Sequence, residues 1–164
     1  MIDPDITVCC ITYNHSQFIS ECIEGFLKQK TNYKVEFIIH DDASTDDTQE
    51  IIQELVGNDD RFDLIFRTKN IKSTGQAIFP LLYKEAKGKY IGMCEGDDYW
   101  TDPYKLQKQV DFLERNKSCN YVFTNNSILY TNGELKADNK NLDDLSDLSN
   151  LLEKKIMPPT LTLM

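Results

Sequence analysis

Short apolar runs separated by polar loops set the pattern of the N-terminal part of the chain. Each run is rich in β-branched or aromatic residues and is short for a helix, which predicts strands that are buried on both faces. The predicted strands are 6–11, 35–40, 62–67 and 90–94.

Between these runs, apolar residues recur three and four positions apart, the spacing of an amphipathic helix. Asp46 and Asp47 fall in the first turn of the second such segment, where negative charge suits the helix dipole. Asp102 and Pro103 open the last one, as a predicted N-cap and first helical residue. The predicted helices are 18–27, 46–56, 73–86 and 103–113.

Strands that alternate with helices predict an α/β fold, with a mostly parallel, Rossmann-like sheet covered by helices on both faces. Such sheets bind ligands in the crevice at the carboxyl ends of their strands. Polar loops follow three of the predicted strands: "TYN" at 12–14, "DDAS" at 41–44 and "EGDD" at 95–98. We expect these loops to face one crevice.

The C-terminal part of the chain has a different pattern. Residues 120–130 read as extended, and Asn132-Gly133 is a turn signal. An acidic, leucine-containing segment follows, with a short helix predicted within 134–155, a solvated acidic run at 138–147 and an apolar end, "IMPPTLTLM". We place a domain boundary between 1–131 and 132–164, and we expect a C-terminally truncated chain, with an intact ligand-binding half and an incomplete second region.

Composition narrows the choice of partners. The chain has 164 residues, 40% of them hydrophobic, and 18 basic against 27 acidic residues give a net charge of -9. This excludes a phosphate-tracking basic surface and therefore nucleic acid as a partner. Without a signal peptide or a membrane-spanning run, we expect a cytoplasmic protein, with peripheral association at the inner face of the membrane left open.

The cysteine pattern is also typical of a cytoplasmic protein. The chain has five cysteines, an odd number, and no C-x-x-C pair. Four of them, all but Cys119, lie in apolar patterns, so we interpret them as reduced core residues.

The loop after the fourth strand carries the strongest chemical signal. Glu95, Asp97, Asp98 and Asp102 place four carboxylates within eight residues. Motifs that bind phosphate through a glycine-rich loop, G-x-G-x-x-G and G-x-x-x-x-G-K-[ST], are absent from the sequence. The remaining way for this loop to bind a phosphate is through a divalent cation that bridges it to the carboxylates. Mg²⁺ and Mn²⁺ prefer such oxygen ligands. Gly96 allows a tight turn and close approach of a ligand.

Three segments together resemble family 2 glycosyltransferases with the GT-A fold. They read "CITYNHSQFISECIEGFLKQ", "FIIHDDASTDDTQEII" and "AKGKYIGMCEGDDYWTDPYKLQKQVDFLE". The family's Asp-x-Asp motif is present as Glu95-Gly96-Asp97, a conservative departure. Its Ala-Arg-Asn run before the metal strand is replaced by "GQAIFPLLY". The resemblance implies a bacterial enzyme of polysaccharide biosynthesis that transfers sugar from a nucleotide-sugar, with a UDP-sugar expected, to a saccharide acceptor. Inversion and dependence on Mn²⁺ or Mg²⁺ are also implied.

The resemblance also implies a role for each site residue. Asp97 would bind the metal and, with Asp98, form the catalytic pair, and Glu95 would contact the ribose or the metal shell. Asp42 would accept the N–H of a uracil-like ring on which Tyr13 stacks, and Thr12 would line that pocket through its backbone. Asp98 and Trp100 would border the sugar and the acceptor.

Plainer interpretations stay open for several of these residues. Asp41 and Asp42 can simply open a loop, Tyr13 can be a packing aromatic, and "EGDD" can be a solvated helix entry. His15 and His40 are interpreted as structural.

Other functions also stay open. They are a nucleotidyltransferase, a non-catalytic nucleotide-sugar-binding module, and a GDP-sugar instead of a UDP-sugar donor. The general base is expected beyond residue 164 or in the acidic 134–153 segment, and a homo-oligomer is an open expectation.

Overall fold

Strand and helix alternate through the first four strands of the protein, as the apolar pattern predicts. The structure, a computed structural model, describes residues 3–137. No helix within that range is both long and apolar enough to span a bilayer. The strands are β1 (Ile6–Thr12), β2 (Val35–Asp41), β3 (Phe62–Phe66), β4 (Tyr90–Glu95), β5 (Ser127–Leu129) and β6 (Leu135–Ala137), and the helices are α1 (Ile19–Leu27), α2 (Thr48–Val56), α3 (Phe79–Glu85) and α4 (Lys105–Arg115).

The first four strands form one parallel sheet in the order β3-β2-β1-β4. Thr12 at the end of β1 is in register with Asp41 of β2, and Ile11 is in register with Glu95 of β4. The three predicted polar loops therefore leave the sheet side by side, at one edge. The predicted parallel sheet is confirmed.

Helices cover both faces of this sheet, also as predicted. Alternate residues of β1 point to opposite sides: Val8 and Cys10 join the larger core, with α1, α2 and α4, and Cys9 joins a smaller one under α3. Aromatic rings fill the larger core, where Phe26 stacks on Phe37 with ring centroids 5.2 Å apart. Burial of each such ring stabilises the fold by about 2 kcal/mol.

The predicted helix 73–86 is wrong in one respect, because two elements occupy the region. A 3-10 turn spans Lys72–Thr74 and ends at Gly75, whose φ of +83° suits a residue without a side chain. Helix α3 begins only at Phe79, with Pro80 in its first turn. Proline is tolerated there because its missing N–H would have no partner inside the helix.

Helix α4 starts two residues later than predicted. Asp102 does act as a capping side chain, but its Oδ1 accepts the N–H of Tyr104 (2.9 Å) in a turn that precedes the helix. The helix itself begins at Lys105, so Pro103 belongs to this turn and not to the helix.

Strands β5 and β6 form a separate antiparallel hairpin. Its turn contains Gly133, with φ +81°, so the predicted turn is confirmed. The predicted domain boundary between 131 and 132 falls in this turn and stays a prediction. Leu135–Ala137 is a strand and not the start of a helix. The rest of the predicted helix, the acidic run at 138–147, most of the 134–153 segment and the apolar C-terminal stretch lie outside the described residues.

Candidate functional site

A tight turn after β4 presents the acidic residues at the edge of the sheet. The N–H of Gly96 donates to the carbonyl oxygen of Ile11 (2.8 Å), and the N–H of Asp98 donates to that of Glu95 (3.0 Å). A Cβ on Gly96 would lie 2.5 Å from Thr12 Oγ1, so only glycine fits here. The turn is thereby seated on the end of β1, with Asp97 exposed.

Thr12 and Tyr13 adjoin this turn. Thr12 is buried, its carbonyl oxygen accepts the N–H of Asp42 (3.0 Å), and its Oγ1 has no hydrogen-bond partner among residues 3–137. Tyr13 is 40% exposed, so part of its side chain is accessible to solvent. The structure therefore brings Thr12 into contact with the loops that follow both neighbouring strands.

Asp42 has a structural task that the sequence analysis did not predict. Its carboxylate is buried and accepts the backbone N–H groups of Ile71 (2.8 Å) and Lys72 (2.9 Å). It thus ties the loop after β3 to the end of β2. Asp41 is also buried and accepts the N–H of Ser44 (2.9 Å), which fits the plainer interpretation of a loop-opening residue. The predicted contact of Asp42 with a base stays a prediction.

The loops after β1 and β2 are held together by side chains. Asn14 Oδ1 accepts the N–H of Thr45 (2.8 Å), and the N–H of Asn14 donates to Ser44 Oγ (2.8 Å). Asp46 Oδ2 accepts the N–H of Ser16 (3.1 Å). Asn14 adopts φ +55°, a left-handed conformation that asparagine tolerates better than most residues. These reciprocal bonds fix Tyr13 and its neighbours without any ligand.

The acidic turn is electrostatically strained. Burial, followed by the negative charges of Asp97 and Glu95, raises the pKa of Asp98 to about 6. Three carboxylates this close favour a counter-charge, because each additional ionisation is opposed by the others.

His15 lies next to the acidic turn, which we did not predict from the sequence. Its Nε2 lies 3.9 Å from Asp97 Oδ2, whereas we expected a purely structural histidine. The signal was available, because His15 sits in the loop after β1 that was expected to face the crevice. His40 does behave as a structural residue: it is buried, and its Nε2 accepts the Nε–H of Arg67 (3.1 Å). Burial and the nearby Arg67 charge lower its pKa.

Trp100 does not border the crevice, and this part of the prediction is wrong. Its ring is buried in the larger core, edge-on to Phe26 with centroids 4.9 Å apart. Its backbone crosses α1 at Gly25, where a Cβ would lie 3.1 Å from the Trp100 nitrogen. The chain has already left the sheet edge by this point, so an indole here contributes packing energy.

Three buried thiols lie next to the acidic turn. Cys10 and Cys22 have their Sγ atoms 4.0 Å apart, and the Sγ atoms of Cys22 and Cys94 donate to the carbonyl oxygen of Glu95 (3.6 and 3.5 Å). Hydrogen bonding with Cys10 raises the pKa of Cys22 well above its usual range, and burial raises that of Cys94. These protonated thiols behave as core residues, which confirms the interpretation of buried, reduced cysteines.

The donor set at this turn fits a divalent cation shared with a ligand. In the described part of the chain, no three His, Cys, Asp or Glu side chains are arranged to hold a metal by themselves. Mg²⁺ and Mn²⁺ sites that also bind phosphates commonly use only one or two carboxylates. Glu95 and Asp97, on either side of a glycine at the strand end, match that chemistry.

Comparison with known proteins identifies the family. The glycosyl transferase family 2 model matches residues 7–159. An uncharacterized protein of Mycobacterium tuberculosis is 39% identical over 145 residues, which cover 88% of this chain and 41% of that protein. The putative teichuronic acid biosynthesis glycosyltransferase TuaG of Bacillus subtilis is 30% identical over 131 residues, 79% of this chain and 50% of that protein. The chain thus spans at most about half the length of these relatives.

Solved structures support the fold. Staphylococcus aureus TarS in complex with UDP superimposes with a TM-score of 0.58 at 24% identity, over 69% of this chain and 33% of that one. Mannosyltransferase PcManGT from Pyrobaculum calidifontis, in complex with GDP-Man and Mn²⁺, gives the same TM-score, identity and coverage. With a parallel sheet of the GT-A type and a family match over almost its whole length, the chain belongs to glycosyl transferase family 2.

Proposed function

We propose that this chain binds the nucleotide-sugar donor of an inverting, metal-dependent glycosyltransferase, with UDP as the nucleotide. The observation that carries the proposal is the meeting of three loops at one sheet edge. Thr12 contacts the loop after β2 through the N–H of Asp42, and it contacts the turn after β4 at Gly96. Tyr13, Asp42 and the acidic turn therefore follow neighbouring strand ends, which supports a shared nucleotide site there.

Asp97 and Glu95 would hold the divalent cation, Mn²⁺ or Mg²⁺. Such a cation, when bound, neutralises the diphosphate and stabilises it as a leaving group. The raised pKa of Asp98, about 6, supports a site in which positive charge is needed, because burial and the neighbouring carboxylates disfavour its ionisation. In the proposed reaction Asp98 borders the sugar.

Calorimetry of UDP binding with and without MnCl₂ tests the metal site. Wild type is expected to bind UDP more tightly with Mn²⁺, and Asp97→Asn is expected to lose that gain. Asp102→Asn is the matched control, because Asp102 belongs to the same acidic stretch but is ion-paired with Lys108 (2.7 Å). Equal UDP affinity with and without metal, in wild type and in the Asp97 variant, would show that the metal assignment is wrong.

The base pocket is proposed to consist of Tyr13 as the stacking face and Asp42 as the acceptor for uracil N3–H. Two backbone bonds leave the Asp42 carboxylate with acceptor capacity for a further donor, since its two oxygens offer about four acceptor positions. Adenine presents a ring acceptor at the corresponding position and would be disfavoured. Guanine carries a ring N–H, so GDP is the relevant competitor.

Mutation of Asp42 alone would not test this contact, since Asp42→Asn also disturbs the anchoring of the loop at Ile71. We therefore compare UDP with N3-methyl-UDP on the wild-type protein. Loss of the hydrogen bond is expected to weaken binding by about 1–3 kcal/mol. Competition among UDP, GDP, ADP and CDP completes the test. Preference for ADP, or equal binding of the methylated nucleotide, would overturn the pocket assignment.

The acceptor is proposed to be a saccharide, as in bacterial polysaccharide synthesis. The relative TuaG is described as a putative teichuronic acid biosynthesis glycosyltransferase, and a chondroitin synthase of Escherichia coli is 32% identical over 139 residues. Transfer with inversion requires a base that accepts the proton of the acceptor hydroxyl. The anomeric configuration of the product, determined by NMR after incubation with UDP-sugars and saccharides, tests this step, and retention would contradict it.

A further inference from the structure

His15 is held rigidly by its own backbone. Its N–H donates to Thr48 Oγ1 (2.9 Å), and its carbonyl oxygen accepts the N–H groups of Phe18 (2.8 Å) and Ile19 (2.9 Å) at the start of α1. Both peptide groups of the residue are therefore engaged. The imidazole projects from a fixed point at the edge of the crevice.

The two ring nitrogens of His15 have different surroundings. Nδ1 is buried and has no hydrogen-bond partner among residues 3–137, whereas Nε2 lies 3.9 Å from Asp97 Oδ2. A neutral imidazole carries one N–H. A proton on Nδ1 would be a buried donor without an acceptor, whereas a proton on Nε2 lies beside the Asp97 carboxylate, which favours the Nε2–H tautomer.

Asp97 does not form a hydrogen bond with the Nε2–H group. A separation of 3.9 Å exceeds the range of a hydrogen bond, and both side chains are partly exposed, His15 by 23% and Asp97 by 46%. A fixed donor thus stands beside a carboxylate that is proposed to bind a cation. An anionic oxygen that contacts the cation could also accept a hydrogen bond from the Nε2–H group.

We propose that His15 Nε2–H donates a hydrogen bond to a phosphate oxygen of the nucleoside diphosphate bound at Asp97. The inference rests on the proposed function, and it adds a residue that selects diphosphates over uncharged nucleosides. Direct metal ligation by Nε2 is disfavoured, because it would move the proton to the buried Nδ1.

The test compares UDP with uridine by calorimetry in the presence of Mg²⁺. His15→Phe keeps an aromatic ring but has no donor, and it is expected to weaken UDP binding roughly tenfold or more while leaving uridine unchanged. His15→Gln, whose amide can supply an N–H, is expected to recover most of the loss. Lys28→Gln is the matched control at the end of α1, since Lys28 is exposed and its ion pair within residues 3–137 is with Glu24. An unchanged ratio of UDP to uridine affinity in His15→Phe would overturn the inference.

Long-range ¹H–¹⁵N spectra of the histidine rings give an independent reading on the wild-type protein. The chain has two histidines, so His15→Gln assigns both sets of signals. The Nε2–H tautomer is expected for His15 without ligand, and its proton is expected to shift when UDP is added. An Nδ1–H tautomer, or a ring shift produced by Zn²⁺ alone at Nε2, would contradict the proposal even if His15→Phe failed to fold.

Failure of the two proposals would look different. A wild-type protein that binds no nucleoside diphosphate would contradict the proposed function. A wild-type protein that binds UDP with metal, and keeps the same selectivity when His15 is replaced by Phe, would contradict only the role of His15.

Discussion

Replacing Lys105 by methionine should make the protein more stable at neutral pH. Lys105 is the first residue of α4 and is 6% exposed, with Nζ 2.9 Å from Thr124 Oγ1 and 5.4 Å from the centroid of the Trp100 ring. These contacts do not make up for the loss of water, because burial lowers the pKa of Lys105 from 10.5 to about 8. Methionine has a similar length and no charge to desolvate.

The size of the effect follows from that pKa. A fall from 10.5 to about 8 means that the folded state disfavours the charged amine by about 3 kcal/mol relative to the unfolded chain. Thr124 is exposed and regains a partner in water, so we expect Lys105→Met to raise the free energy of unfolding by about 2 kcal/mol at pH 7. In the wild-type protein, the free-energy cost of burying the charged amine is present in full below the folded-state pKa of about 8. This cost disappears as pH rises toward the unfolded-state pKa of 10.5. The gap between the two proteins should therefore narrow by about 2 kcal/mol between pH 7 and pH 9.5.

Urea unfolding of both proteins at several pH values measures this gap, and titrating groups that do not interact with Lys105 cancel in the difference. Lys108→Met is the control on the same helix. Its side chain is 67% exposed, so its removal should change stability by less than about 0.5 kcal/mol. A variant that is less stable than wild type at pH 7, or a gap that does not change with pH, would refute the reasoning.

Other predictions concern the loops of the site. Gly96→Ala should destabilise the protein by about 1–3 kcal/mol and weaken metal-dependent UDP binding, because the new Cβ would lie 2.5 Å from Thr12 Oγ1; unchanged melting and binding would contradict the observed fit. Asp46→Asn should cost about 1 kcal/mol at pH 7, discounted for exposure. Burial opposes ionisation of Asp46, but hydrogen bonds from Thr48 and Ser16 outweigh it and lower the pKa to about 2. The contribution of Asp46 is therefore present above about pH 4 and lost as pH falls toward 2, so a wild-type advantage that persists at pH 2 in chemical denaturation would argue against it.

The sheet could be predicted from sequence because its signal is local. The apolar runs of β1 and β2 are buried on both faces, and their order with the helices decides the topology. Helix starts were less accurate: α2 and α4 each begin two residues later than predicted, so Asp46 and Asp47 precede the first turn of α2. Pro80 suggested a disturbed long helix, whereas it lies in the first turn of a short one, and the 3-10 turn before it is stabilised by Asp42 from another part of the chain.

The candidate site was predictable as a set of loops but not as a set of contacts. The strand ends placed Tyr13, Asp42 and Asp97 at one edge correctly. The approach of His15 to Asp97 depends on how the loop after β1 is hydrogen-bonded to the loop after β2. The burial of Trp100 depends on the direction in which the chain leaves the acidic turn. Both are tertiary properties without a local pattern in the sequence.

The bonds between Asn14, Ser44 and Thr45 have a consequence for protein engineering. Each loop supplies both donors and acceptors to the other, so neither keeps its conformation when its partner is exchanged. A chimera that receives only the segment after β1 from another family member, without an asparagine at position 14, would leave the backbone N–H of Thr45 without the Asn14 Oδ1 acceptor. Nucleotide preference should therefore transfer between relatives only when both segments are transplanted together, as one inherited module.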